Sequence, residues 1–445
     1  MKFVIAFAIL INTCLIWHIF KSRKINDILA ISILFYSALW LVVPGFGLLF
    51  LENMEYQDGD IDPAITRLYA LETALFCASL ITFFIFCKAS NVRLGKVNPV
   101  IFYVLAAVYC IATIHDIANN PYNYSDGNDL SIKTPDGASN FYFLIYSLLS
   151  AMFTYLAIKL ADRMRRIIAI FLVVLATFSY VLTGARIALL WPIFLITVDI
   201  FKQIKTGRDI FNRKLLVWFL ILVLFVFGLM GVAQSIEMTR LEKTVSASNL
   251  TIVPDFKRIL NNLNTKFNSF QPGLHLINGY GAGAAGFRPY WGSFAFFVPR
   301  LLYPNKPIAG SIDDTYFGTP ARLVPTLLNA GETVSNVGVS PLAISVWHWG
   351  WLIGPIIIFI TALLEFYLLN FLLNSSSLIL NSLGVFFIPI PGFVNIFQSP
   401  DVVIKNIVLT LVIVAFMKLR FISNSKNSNP HNFIWGSSVG KQPKL

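Results

Sequence analysis

The sequence predicts an all-α, polytopic integral membrane protein, with about 11 transmembrane helices and one large external loop. Three observations carry this prediction. First, only 13% of the 445 residues are charged and 56% are hydrophobic, whereas a soluble domain carries about 25% charged residues. Mean hydropathy is correspondingly high, at +0.71. Second, the chain is a succession of nearly uncharged stretches about 20 residues long, the length a helix needs to cross a bilayer. Third, the turns between these stretches alternate in charge. One set holds Lys21, Arg23 and Lys24; Lys88, Arg93 and Lys96; Arg163, Arg165 and Arg166; and Lys202, Lys205, Arg208, Arg213 and Lys214. The other set is acidic, with Glu52, Glu55, Asp58, Asp60 and Asp62, then Asp126, Asp129 and Asp136. Basic turns mark the cytoplasmic side, so the N-terminus is expected outside and the C-terminus inside.

The expected spans are 3-20, 28-51, 67-87, 99-118, 140-161, 167-183, 187-201, 215-233, 341-372, 378-396 and 402-419. The first is followed by KSRK and not by a small-residue cleavage site, so it reads as a retained helix. The organisation is therefore helices one to eight in 1-233, a large external loop with amphipathic and re-entrant helices in 234-340, helices nine to eleven in 341-420, and a disordered cytoplasmic Asn/Ser/Lys tail in 421-445. A connection as long as 234-340 is functional or disordered, and FAFFVPRLLYP is too aromatic for disorder. Within it, DFKRILNNLNTKF (255–267) puts Ile259, Leu260, Leu263 and Phe267 on one face of an amphipathic helix.

The net charge of +12 falls mostly in the short turns and calls for no nucleic acid. Cys14, Cys77, Cys87 and Cys110 lie in or at the ends of apolar segments, a pattern that argues against a disulfide framework or a zinc site.

Gly281, Gly283 and Gly286 spell G-x-G-x-x-G, the pattern of a phosphate loop. That loop needs a strand before it and an acidic residue about twenty positions on. Here a Pro-Gly pair precedes it, and Asp313 and Asp314 come too late. A close-packed backbone bend is the plainer reading. An anion held by the run's N–H groups beside Arg288 is the alternative.

The loop is net basic. Arg288 and Arg300 sit among aromatic and proline residues, where an unpaired charge is costly. Arginine's planar fork suits phosphate oxygens. Arg186, in SYVLTGARIALLWP, lies at a tight bend between two spans, where charge is expensive and usually functional. Glu72, His115, Asp116, Glu365 and Lys405 also fall in or near spans, and interfacial or paired structural roles account for most of them.

Three stretches resemble the bacterial O-antigen polymerases. VPRLLYPNKP (298–307) is similar to the family's Pro-Arg-x-x-Trp-Pro-Asp-Lys-Pro signature, with Tyr303 and Asn305 departing from it. LTGARIALL (182–190) is similar to its Thr-Gly-Ser-Arg stretch, with Ala185 for Ser. WHWGWLIGP (347–355) resembles the Phe-Gly-Trp start of a late span, with Trp349 for Phe.

The resemblance implies a fold like the lipid-dependent (GT-C-like) glycosyltransferases, in the bacterial inner membrane with the active site facing the periplasm. It implies glycosyl transfer between undecaprenyl-pyrophosphate-linked oligosaccharides, with no cofactor, in contact with membrane lipids and with a chain-length regulator as a protein partner. Asp313 and Asp314 stand together without other ligands, so no metal is expected. Preorganised cations would stabilise the leaving pyrophosphate. The candidates are Arg300, then Arg288, Arg186, Lys306 and Arg322. A base for the acceptor hydroxyl would come from Asp313, Asp314, Glu332 or His348.

Two alternatives stand behind this expectation. An O-antigen ligase shares the chemistry, but His431-Asn432 lacks the later glycine, Gln442 standing there. A lipid-linked oligosaccharide flippase would be a transporter, and transporters often show internal repeats; the sequence has no evident one.

Overall fold

The chain is described here by a computed structural model, covering residues 2–21, 25–50, 63–87, 97–119, 137–182, 190–205, 269–287, 339–390, 393–394 and 400–425. Its elements are helical apart from one two-residue strand pair. They are α1 (Lys2–Lys21), α2 (Asp27–Tyr36), α3 (Val43–Phe50), α4 (Pro63–Phe86), α5 (Pro99–Asn119), α6 (Gly137–Lys159), α7 (Arg163–Leu182) and α8 (Leu190–Lys205). Then come α9 (Phe270–Tyr280), α10 (Pro341–Leu373), α11 (Leu378–Phe387), β1 (Pro389–Ile390), β2 (Phe393–Val394) and α12 (Pro400–Ser425). Helices are what apolar stretches must form in hydrocarbon, because no water is there to satisfy open backbone groups. Among the described residues, four stretches are long and apolar enough to cross a membrane: Lys2–Ile19, Asp27–Leu49, Pro63–Phe86 and Pro341–Leu373.

The second stretch joins α2 to α3 through a π-helical segment, Ser37–Val42. Pro44 has no N–H to return to the preceding turn, and a wider winding before a proline relieves the clash of its ring. The Leu41 carbonyl takes a hydrogen bond from Tyr69 Oη on α4, at 3.0 Å. Gly45 permits this approach, since a Cβ there would lie 2.4 Å from that oxygen. Below it, α4 and α10 are zipped by rings: Phe76 to Phe366 at 6.3 Å, and Phe83 to Phe366 and Tyr367 at 5.6 and 5.1 Å.

Polar bonds gather several helix ends at one end of the bundle. Asn26 caps α2 through its Oδ1, at 3.0 Å from Ile28 N, and donates from Nδ2 to the Leu373 carbonyl that ends α10, at 3.2 Å. Arg165 donates to the Val97 carbonyl at 3.1 Å, and Arg166 to the Ala157 carbonyl at 2.9 Å. Arg166 also pairs with Asp199 of α8, and Lys202 reaches the Ile158 carbonyl. Val97 before α5, the end of α6, the start of α7 and the basic end of α8 thus meet.

The expected spans from 3-20 to 187-201 are found as helices within a few residues of their predicted ends, while 215-233 lies outside the described residues. Two expectations are corrected. The span 341-372 is not one helix: Gly350, at φ 76° and ψ 173°, divides it. The span 378-396 is helical only to Phe387. Pro389 has no N–H with which to continue a helix, and the chain turns into the antiparallel pair Pro389–Val394 and Ile390–Phe393. At the far end, α12 runs on to Ser425, past the expected 419.

Candidate functional site

The break in α10 is where the glycine run sits. In a continuous helix the carbonyls of Val346, Trp347 and His348 would accept from residues 350, 351 and 352. Here they accept from Gly283 N, Ala285 N and Gly286 N, at 3.0, 3.2 and 3.0 Å. Gly281 N closes α9 by donating to Ile277 O at 2.9 Å. The three glycines have φ of 92°, 79° and 53°, which side-chain-bearing residues rarely adopt. The run is therefore a bend that caps a broken helix. Four of its N–H groups are spent on carbonyls, so the anion-cradle reading of those groups is corrected. The nucleotide pattern fails in its context too: the preceding element is α9, a helix. Pro272 does not break α9 because it lies in the first turn, where the N–H has no helical partner.

After Gly350 the chain folds back sharply. In a straight helix residues 345 and 354 would be ~13 Å apart. Instead a Cβ on Gly354 would meet Ser345 O and Val346 Cα at 2.9 Å, and Ser345 Oγ donates to Gly354 O at 2.8 Å. The outer rim of the turn is aromatic, with Phe287 edge-on to Trp349 at 4.6 Å.

Both α9 and the first half of α10 start inside the bundle. Ser269 O accepts from Gly273 N at 3.1 Å and from Ser340 N at 2.9 Å, joining the two helix starts. Phe270 packs on the Tyr69 ring at 5.2 Å. The start of α10 is then held by Glu72 of α4. The Ser340 hydroxyl donates to Glu72 Oε2, which also accepts from Leu342 N at 3.2 Å. Ser340 Oγ in turn accepts from Ala343 N at 3.2 Å, the usual N-cap bond. Tyr36 Oη donates to Glu72 Oε1 at 3.4 Å, and Glu365 of α10 is also buried. Glu72 lies ~14 Å along α4 from Pro63, by the 1.5 Å rise per residue. The described part of 234-340 thus contains a helix, α9, whose start packs against α4 and the start of α10.

Of the residues expected to act, His348 is described. It is 1% exposed, in the turn before Gly350, its ring 5.2 Å from that of Trp347. Arg186, Arg288, Arg300, Lys306, Asp313, Asp314, Arg322 and Glu332 lie outside the described residues, as does the 255–267 amphipathic segment. Sequence reasoning passed over Glu72 and missed Tyr36 and Ser340. The available signal was a carboxylate deep within an apolar span, which is costly unless it has partners.

The described helices define a membrane protein of helical class by their length and apolar composition. No family model, curated protein or solved structure matches the chain.

Proposed function

We propose that the chain is a glycosyltransferase that polymerises undecaprenyl-pyrophosphate-linked O-antigen repeat units, at the periplasmic face of the bacterial inner membrane. The observation that carries this reading concerns residues 288–338, the segment with most of the candidate cations and carboxylates. It leaves α10 at Phe287, which packs on Trp349, and returns to it at Ser340, bonded to Glu72. Fixing both ends of a segment to one helix limits the space its side chains search, and positioning is a large part of catalysis. WHWGWLIGP, one of the three stretches similar to the polymerases, is the sequence of the break itself.

In the proposed reaction, the anomeric carbon–oxygen bond of the donor glycan breaks and undecaprenyl pyrophosphate leaves. The terminal hydroxyl of a fresh lipid-linked unit supplies the new glycosidic oxygen, and its proton passes to a carboxylate or histidine. Arg300 and Arg288, with Arg186, Lys306 and Arg322, meet the charge that grows on the leaving pyrophosphate. A chain-length regulator would bound the product. The activated donor bond makes an external nucleotide unnecessary.

A flippase is the second reading, and one observation favours it: a broken helix and a buried carboxylate at depth are features of transporters. Deleting the gene and resolving the surface lipopolysaccharide separates the readings. We predict lipid A-core carrying one repeat unit and no longer chains. Bare core with long lipid-linked chains outside would mean a ligase. Bare core with single lipid-linked units trapped on the cytoplasmic face would mean a flippase.

A further inference from the structure

We infer that Glu72 is a positioning residue: its carboxylate, reaching across from α4, fixes the point at which residues 288–338 rejoin α10. Three bonds converge on Ser340 and Leu342. Ser340 Oγ and Leu342 N both donate to Glu72 Oε2, and Ser340 N donates to Ser269 O at 2.9 Å. Glu72 is 1% exposed and Ser340 0%, so no water competes for these bonds. The carboxylate sits at the start of α10, where open N–H groups and the helix dipole favour negative charge. Tyr36 Oη fills the second oxygen and sets the carboxylate's orientation. Neither Ser340 nor the backbone of Leu342 can reach another acidic group of α4, since Glu72 is the only Asp or Glu in Pro63–Phe86. Packing supports the same register: Gly273 of α9 admits Ala343 so closely that a Cβ would lie 2.6 Å from it.

The consequence is a division of labour between the two ends of the segment. At the Phe287 end, backbone N–H groups of the glycine run do the holding. At the Ser340 end, a side-chain acceptor does, the Glu72 carboxyl oxygen that takes bonds from Ser340 Oγ and Leu342 N, beside one backbone bond from Ser340 N to Ser269 O. Losing that acceptor loosens the start of α10 without touching the glycine run. The effect on catalysis rests on the proposed glycosyl transfer, whereas the positional claim does not.

The test uses the full chain in membranes with Leu342→Cys, a buried position whose backbone bond is kept, and a water-soluble maleimide. Labelling is counted above that of the same chain without this cysteine. Glu72→Leu fills a similar volume and removes the buried charge, so the bundle should still fold. Glu72→Gln keeps an acceptor oxygen. We predict slow labelling in the parent and in Glu72→Gln. In Glu72→Leu labelling should be faster by about tenfold or more, the effect of losing hydrogen bonds to a charged acceptor. Ser340→Ala, which deletes one donor only, should give a smaller increase. Long glycan chains should persist in Glu72→Gln and vanish in Glu72→Leu. Unchanged labelling in both Glu72→Leu and Ser340→Ala would overturn the inference. Faster labelling with full-length glycan retained would leave the tether standing and overturn its link to chain growth, whereas the proposed function is tested separately by deleting the gene.

Discussion

Glu72 and Ser340 are 268 residues apart in sequence and share a hydrogen bond. The carboxylate was visible in the sequence as a charge within an apolar stretch, but its partners were not. A serine before a helix announces only a cap, and Ser340 is a cap as well as a donor to Glu72. The arginines were legible in another way, through unusual company: Arg300 lies between Pro299 and a Leu-Leu-Tyr-Pro run. We predict that Arg300→Ala and Arg288→Ala each leave the protein inserted while lowering chain growth by about 10²–10³-fold, the usual effect of deleting one preorganised partner of transition-state charge. Polymer of parental length from both would remove the pyrophosphate clamp. Asp162 offers a plainer test. The Arg165 side chain and the N–H groups opening α7 hold its carboxyl below the usual carboxylate range. A depressed folded value stabilises above the ordinary carboxylate pKa, and that contribution is lost as pH falls through the folded value. Asp162→Asn should therefore melt slightly lower than the parent at neutral pH, and the difference should close in acid.

At the scale of elements, hydropathy read α10 as one long span because Trp, Gly, Leu and Ile around 350 are all compatible with hydrocarbon. The break depends on donors from a distant stretch, the N–H groups of Gly283, Ala285 and Gly286. Nothing local to WHWGWLIGP supplies them, so local pattern could not reveal the bend. The over-long reading of 378-396 has the opposite cause. The local signal, Pro389 and the following Pro-Gly, was present but outweighed by an apolar run. We predict that Gly350→Ala destabilises the protein by about 1–3 kcal/mol, the cost of a positive-φ extended backbone for a residue with a Cβ, read by thermal unfolding in detergent. Gly354→Val should cost more, because its Cβ would press on the backbone of Ser345 and Val346 at 2.9 Å. Unchanged melting in both would mean that the bend is not a fixed feature of the fold.

For the molecule as a whole, the alternation of basic and acidic turns predicts which ends of consecutive spans share a side, since a bilayer forces those spans to alternate. Arg165 joins Val97, Arg166 joins Asp199 and Lys202 joins Ile158 at one end of the bundle. Cysteines placed in the turns after α1, α4 and α6 should accordingly label from one compartment, and those in 51–62 from the other. The sequence reading expects re-entrant helices in the long loop, but it could not convey which part of that loop packs against the bundle. Phe270 and Gly273 are buried against α4 and α10, yet an apolar stretch inside a loop has the same composition whether it lies on the bundle or within it.

The central claim is that this chain joins lipid-linked glycans without an added energy source. The most direct measurement reconstitutes the purified protein in liposomes with undecaprenyl-pyrophosphate-linked repeat units and no nucleotide. The account predicts a ladder of longer lipid-linked glycans, with one undecaprenyl pyrophosphate released for each new bond. Units that cross the bilayer unextended, or that stay as single repeats with no pyrophosphate carrier released, would contradict it.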